Sequence, residues 1–450
     1  MATATQALQH YAEHFSGLEK STAGAPSWLH QLRQNGFARF SETGFPTPRE
    51  EDWRFTNLSP IAQTPFRLLR NGHRLPSEAD VSEHRIAGAA CELVFIDGRW
   101  AASLSSARHL PKGLHLGSLA AEMATNPGSI ESHLGHYLNI QRDPFAALNT
   151  AFLEDGAYVH LSKGVVLESP IHLLFISTAH EIPVVTHPRN LIIAGEDSQA
   201  TIIEDYISMG RGERGLCNTV TELLAQDHSV IAHYMIEKEH EQAFNVSTLR
   251  IQQGRAADVA SHAVLAGGEL VRNNVHPVLA GEGGECLING LFLGRNRQHL
   301  DNYMLVEHAS PHCSSRQFYN GILDGHAHGV FHGRIIVHKS AQKTDAKQTN
   351  RNLLLSDTAQ IDTKPQLEIY ADDVKCTHGA TIGQIEEDAL FYLRSRGMEE
   401  GSARRLLLFA FASECLDRMR TGPARTYVEN LIQHNLAYLG DASRHQEQAS

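Results

Sequence analysis

Between about Ala157 and Ile382 the chain is a succession of short β-rich runs with no helical stripe between them, and this limits the fold more than any other feature. The runs are VVLESPIHLLFIS, QATIIEDYIS, SVIAHYMIE, FNVSTLRIQ, CLINGLFLG, GRIIVH, NLLLS and QLEIY, separated by Gly, Asn and Asp clusters. Branched and aromatic side chains suit a pleated, half-buried surface, and Gly, Asn and Asp suit the turns that end it. A sheet of the βαβ kind needs a helical pattern of about a dozen residues between strands, and none is found, so that architecture is excluded. A sandwich, a barrel and a stacked solenoid remain. Sandwiches usually close within ~100 residues, and Asn-Gly hairpin turns are scarce here. A parallel solenoid adds one coil per ~20 or more residues and tolerates irregular corners. No strict sequence repeat is visible, so the pattern favours a solenoid without removing the other two.

Three regions follow. Residues 1–155 form a helical and mixed region, 156–385 the β core, and 386–450 a second helical region. In the first, Leu8, Tyr11, Ala12 and Phe15 make one apolar helical stripe, and Trp28, Leu29 and Leu32 begin another. GFPTPREEDWRFTNL reads as a loop anchored by Trp53 and Phe55, CELVFIDGRW as a strand turning at Asp97–Gly98, and HLGHYLN and PFAALNTAF as helices. In the last, Glu386, Glu387 and Asp388 open a helix that ends at Arg394, Arg396 and Gly397, an arrangement suited to the helix dipole. Ser402 is expected to cap ARRLLLFAFASECLDRM, whose apolar content exceeds one surface stripe. A third helix starts at Pro423, carries Val428, Leu431, Ile432 and Leu439 on one side, and stops at Gly440, before a polar tail from Arg444 to Ser450.

Composition narrows function by exclusion. The 450 residues carry a net charge of −12, without the basic footprint of a general nucleic-acid binder. No run approaches the ~18 apolar residues of a membrane helix, and MATATQALQHYAEHF is not a secretory signal, so a cytoplasmic protein is expected. No phosphate loop, dinucleotide fingerprint, nucleophile elbow or H-E-x-x-H is present. The six cysteines lie no closer than 27 residues apart, so there is no local metal clip, and most are expected to be buried thiols.

Histidine is abundant, 28 in all, and crowds the far end of the β region. His326 and His328 resemble part of a two-histidine metal site on one strand face, but no carboxylate follows; His308, His312 and Cys313 are three ligand types without a fourth. Hydrogen-bonded histidines are the simpler reading of both. Cys376 and His378 form the sharper pair. On an extended strand they share a face about 6–7 Å apart, and both are iron and zinc ligand types. Lys375 and the imidazole are expected to lower the thiol pKa. A buried strand cysteine beside a turn histidine is the alternative.

The run KTDAKQTNRNLLLSDTAQIDTKPQLEIYADDVKCTHGATIGQIEEDALFYLRSRGM resembles the C-terminal signature of the SufB/SufD family of iron–sulfur cluster assembly proteins, and GFPTPREEDWRFTNL is similar to the family's N-terminal motif. SufB typically has Cys-x-His-Glu-Ala-Thr where this chain has Cys376-Thr377-His378-Gly379-Ala380-Thr381, and the ADDVK lead-in and Gly379 resemble the SufD branch. The resemblance implies a right-handed parallel β-helix flanked by N- and C-terminal helical regions. It also implies a non-catalytic scaffold subunit that pairs with SufB through the β-helix and binds the SufC ATPase, with ATP held by SufC. A homodimer is the expectation for the isolated chain. A transient iron–sulfur cluster would be shared with SufB and not stably held by this chain alone. The histidine matching His378 is implicated at the SufB–SufD junction, which makes His378, with Cys376, the candidate cluster-assembly and metal-ligating pair. The segment around Glu386, Asp388, Tyr392, Arg394 and Arg396 resembles the SufC-docking region. The alternatives are a purely structural partner of SufB, the paralogue SufB itself, a carbohydrate-active β-helix enzyme lacking its expected carboxylate cluster, and a cupin-type metalloenzyme lacking its carboxylate ligand.

Overall fold

The computed structural model describes residues 4–69, 75–106, 110–210, 212, 214–437 and 439. Its body is a parallel β-solenoid of about seven turns. Successive strands alternate between two sheets, one eleven-stranded and one ten-stranded, so each coil contributes one strand to each. Pairing is in register: Glu285, Ser314, Asp345 and Lys375 stack in the ten-stranded sheet, one coil per about 30 residues. Among the described residues there is no helix between 157 and 383, as the unbroken β pattern requires.

The lumen is the main core. Side chains alternate in and out along each strand, and inward residues such as Ile231, Val259, Ile288, Phe292, Phe331 and Ile335 fuse into one apolar column. One corner repeats in backbone shape and not in residue type. Asp197, His228, Ala256, Gly283, His312 and Lys343 each adopt positive φ, between 50° and 71°. Each donates its N–H to the next coil, from Asp197 to Asp227 O through to Lys343 to Asp373 O. Six residues of five types fill one geometric role, which is why no sequence repeat was visible.

The two outer faces are covered differently. Trp53, Phe145 and Phe66 pack with Leu216, Phe244 and Leu270 on the eleven-stranded sheet. On the ten-stranded sheet lie the helices Glu400–Leu416 and Pro423–Leu436, whose Leu408, Cys415, Val428 and Ile432 meet Tyr234, Leu291 and Ile322. Asn289 and Asn320 donate to the carbonyls of Cys415 and Phe411 at 3.0 and 2.9 Å, and Arg351 grips Glu414 at 2.6 Å.

Several local expectations change. The N-terminal region also lends a strand to the solenoid, where Cys91–Ile96 pairs with Ile171–Thr178 in the ten-stranded sheet. Asp97–Gly98 does turn the chain, both with positive φ, into the short antiparallel strand Arg99–Trp100. PFAALNTAF is helical over Pro144–Ala151, but HLGHYLN is not. There the Glu222 carboxylate takes the N–H groups of Gly135 and Tyr137, at 2.8 and 3.1 Å, and Gly135 adopts φ 85°. A tertiary hydrogen bond outweighs local propensity. Trp53 is buried while Phe55 is only half-buried. Ser402 is not a cap: Glu399 precedes the helix and accepts from Gly401 and Ser402, leaving Ser402 in the first turn. The apolar density of that helix is real but one-sided, with Leu406 left exposed. Gly440 and the tail from Arg444 lie outside the described residues, and the last helix ends at Leu436.

Candidate functional site

Among the described residues, the solenoid ends without a lid on its final coil. Its last strand, Lys375–Gly383, pairs among the described residues on one side only, with Asp345–Leu354. Lys375 donates its N–H inward to Thr344. In a parallel ladder the peptide groups of alternate residues face the same way, so those of Cys376, His378, Ala380 and Ile382 face the open edge. Gln360–Ile369 is the matching last strand of the other sheet. Eight of the nine residues in Lys375–Gly383 are exposed, and apolar Tyr370 and Ile382 stand 62% and 54% exposed at this end.

Cys376 and His378 do share a face. They stack under Ala346 and Gln348, both buried, so their side chains continue the lumen wall at its mouth. Cys376 packs half-buried against the bottom of the apolar column, beside Leu367 and Val374. His378 is exposed. One coil above it, the buried Gln348 donates to Gln317 at 2.9 Å, an amide ladder inside the lumen in register with His378. Nothing in the local sequence signals this ladder, because register alone brings residues 317, 348 and 378 together.

The expected activation of the thiol is not found. Burial pushes the Cys376 thiol up, Asp345 adds to this, and the Ala346 N–H offsets only part. Lys375 is its chain neighbour and points to the opposite face. The remaining cysteines, Cys91, Cys217, Cys286, Cys313 and Cys415, are buried.

The other histidine groupings resolve into structural roles. His326 lies in a turn and His328 begins the next strand, so they do not share a strand face, and His328 bonds to Asp362 at 2.7 Å. His308 is buried on Ser315 at 2.8 Å, His312 occupies the left-handed corner, and the Cys313 thiol donates to Gly281 O. Among the described residues, no group of three or more His, Cys, Asp or Glu side chains is placed to hold a metal ion.

The five docking residues gather on the short helix Glu387–Ser395 and its ends. Glu386 precedes the helix, Asp388 lies in its first turn, and only Leu390 is buried. Arg394 pairs with Glu400 at 3.2 Å, and Arg396 lies over the Tyr392 ring at 5.2 Å. Phe391, missed in the sequence, is 74% exposed beside Tyr392 and is the largest apolar side chain offered to solvent there. Its signal was the FY pair on a helix whose other apolar positions already fill one side.

Family models match nearly end to end: the SufBD protein N-terminal region over residues 1–173, and the SufBD core domain of SUF-system FeS cluster assembly over 175–411. An iron–sulfur cluster assembly SufBD family protein of Synechocystis is 33% identical over 421 residues, covering 92% of this chain and 91% of that one. The Escherichia coli iron–sulfur cluster assembly protein SufD is 31% identical over 439 residues, 94% and 98% of the two chains. The Bacillus subtilis SufD is 22% identical over 443 residues, 95% and 98%.

Proposed function

Because the chain belongs to the SufBD family of iron–sulfur cluster assembly proteins, we propose that it is a SufD-type, non-catalytic scaffold subunit that joins SufB through the open end of its solenoid. The observation that carries this reading is the uncovered last strand. It presents a row of unpaired peptide groups with apolar Tyr370 and Ile382 alongside. Such an edge is a template for strand addition, and a single chain normally blunts it.

Iron and sulfide are the cargo of this site. An iron centre needs about four ligands, and this strand offers one exposed imidazole and one half-buried thiol, so the remainder comes from the partner. His378, the more accessible of the two, is the principal ligand. An imidazole is more readily displaced than a thiolate, which suits a site that must release its product. Cys376, held protonated by burial, has the smaller part. SufC, which would bring the ATP, docks on the exposed Phe391–Tyr392 face.

The test is the iron and sulfide content of the complex purified with SufB and SufC, with subunit ratio checked by size exclusion. His378→Ala is expected to leave the ratio unchanged and sharply lower both contents, with Cys376→Ser having a smaller effect. Unchanged contents in His378→Ala defeat the ligand role and leave a structural partner. For docking, deletion of 386–450 is a poor probe because it strips the cover from the ten-stranded sheet. Phe391→Asp is the cleaner change, and retention of SufC by this variant in a pull-down rejects that surface.

A further inference from the structure

Away from the open end, where the N-terminal segment crosses the eleven-stranded sheet, lies a cavity of about 100 Å³. Its floor is made by outward side chains of four successive coils, among them Arg250, Asn274, Tyr303 and Arg334, and its walls include Trp53 and Arg142. The site therefore exists only when the N-terminal region is folded onto the solenoid.

The carboxylates around it are engaged. Asp143 accepts from Ala146 N and Thr248 Oγ1 at 3.0 and 3.1 Å. Glu307 lies 2.6 Å from His276 Nε2 and 3.4 Å from His338 Nε2, and Asp52 bonds to the Tyr303 hydroxyl. Two of the cations are also matched. Arg272 reaches Asp301 at 2.5 Å and is stacked by Trp53 and Tyr303, while Arg334 reaches Glu368 at 2.6 Å. Arg142 and Arg250 have no hydrogen-bonded carboxylate among the described residues. Arg142 makes no side-chain hydrogen bond or ion pair among the described residues, and Arg250 uses only Nε, on the Tyr137 carbonyl at 2.6 Å. The terminal nitrogens of this half-buried guanidinium therefore make no hydrogen bond among the described residues, while Glu307, Asp143 and Glu222 lie near enough to act on its charge. A bidentate oxyanion is the group that best satisfies a guanidinium fork whose terminal nitrogens lack bonded acceptors.

We propose that this cavity binds a phosphate-class oxyanion, either free or as the phosphoryl group of a small ester, with Arg250 and Arg142 as its donors. Its volume of about 100 Å³ holds one tetrahedral oxyanion. The remainder of an ester would run outward past exposed Arg142. The proposal is independent of the role of His378, because no residue is shared.

The experiment is calorimetric titration of the full chain at low ionic strength with inorganic phosphate, pyrophosphate and ADP. Saturable binding of one equivalent of at least one probe is expected, weakened about tenfold or more by Arg250→Gln and severalfold by Arg142→Gln. Tighter binding of ADP than of the inorganic anions assigns an ester; the reverse order or parity assigns the free anion. Arg142 is exposed and its substitution leaves the packing intact, so Arg142→Gln decides the matter if Arg250→Gln fails to fold. No saturable binding of any probe, or wild-type affinity in the folded variants, overturns the proposal.

Discussion

Near one end of the ten-stranded sheet, all six residues of Cys91–Ile96 are buried; at the other end, eight of the nine in Lys375–Gly383 are exposed. Both are strands of one parallel stack. The first end is finished within the chain, by the two-residue antiparallel strand Arg99–Trp100 and a bridge from Glu92 to Ser106. A short edge strand offers little to pair with. The last end has no such device among the described residues and leaves four residues' peptide groups facing outward. The difference teaches that burial along a solenoid is set by what lies on the next coil.

The largest effect expected from breaking the comparison lies at the finished end. Phe175 is stacked between Phe95 and Tyr206, each 4.9 Å away. Phe175→Ala should cost about 3–5 kcal/mol in urea unfolding, whereas Ile382→Ala, more than half exposed, should cost less than about 0.5 kcal/mol. Equal losses would show that the last strand is buried in the isolated chain.

Acid should act on the covered coils. Burial pushes His187 and His262 down to about 3 and His299 and His308 down to about 4. A histidine held neutral when folded binds fewer protons than its unfolded form near 6.5, so its stabilising effect is present above pH 6.5 and is lost as pH falls toward the folded values. Each of the four should cost about 2 kcal/mol by pH 5. His172 is shifted upward between Glu92 and Asp205 and opposes part of this. The urea midpoint is therefore expected to be flat above pH 7 and to fall between pH 6.5 and 4. A flat profile through pH 5 would reject neutral burial of these rings.

The smallest expected effect is the sharpest test of the open edge. Ala380 has its N–H on the unpaired side, so proline there removes no internal ladder bond. Ala380→Pro should lower thermal stability little yet weaken strand-mediated association about tenfold or more, measured by sedimentation with a co-expressed partner. Wild-type association would place the junction elsewhere.

The β core was legible because each strand carries its own alternation and turn residues. So was the pairing of Cys376 and His378 on one face, since a period of two needs no partner to be read. The fifty-residue run around them also pointed to the family, which the whole-chain matches bear out. Other readings failed where distant groups intervened. HLGHYLN lost its helix to Glu222, and the Cys376 thiol is governed by the apolar column above it, not by the adjacent lysine.

What the sequence determined by itself was local: strand against helix, the turns, the two charged helix ends, and the ligand types on the last strand. Only the tertiary structure decided which residues stack. The corner that runs from Asp197 to Lys343 is a repeat in φ and in coil-to-coil hydrogen bonds, and backbone shape leaves little trace in residue identity when five of the six residues are exposed and the sixth, Gly283, has no side chain. Likewise the stacking of Gln317, Gln348 and His378, and the meeting of Arg142 and Arg250 at one cavity, depend on how segments far apart in the chain are laid together. Register is a property of coils laid on one another, and no single coil encodes it.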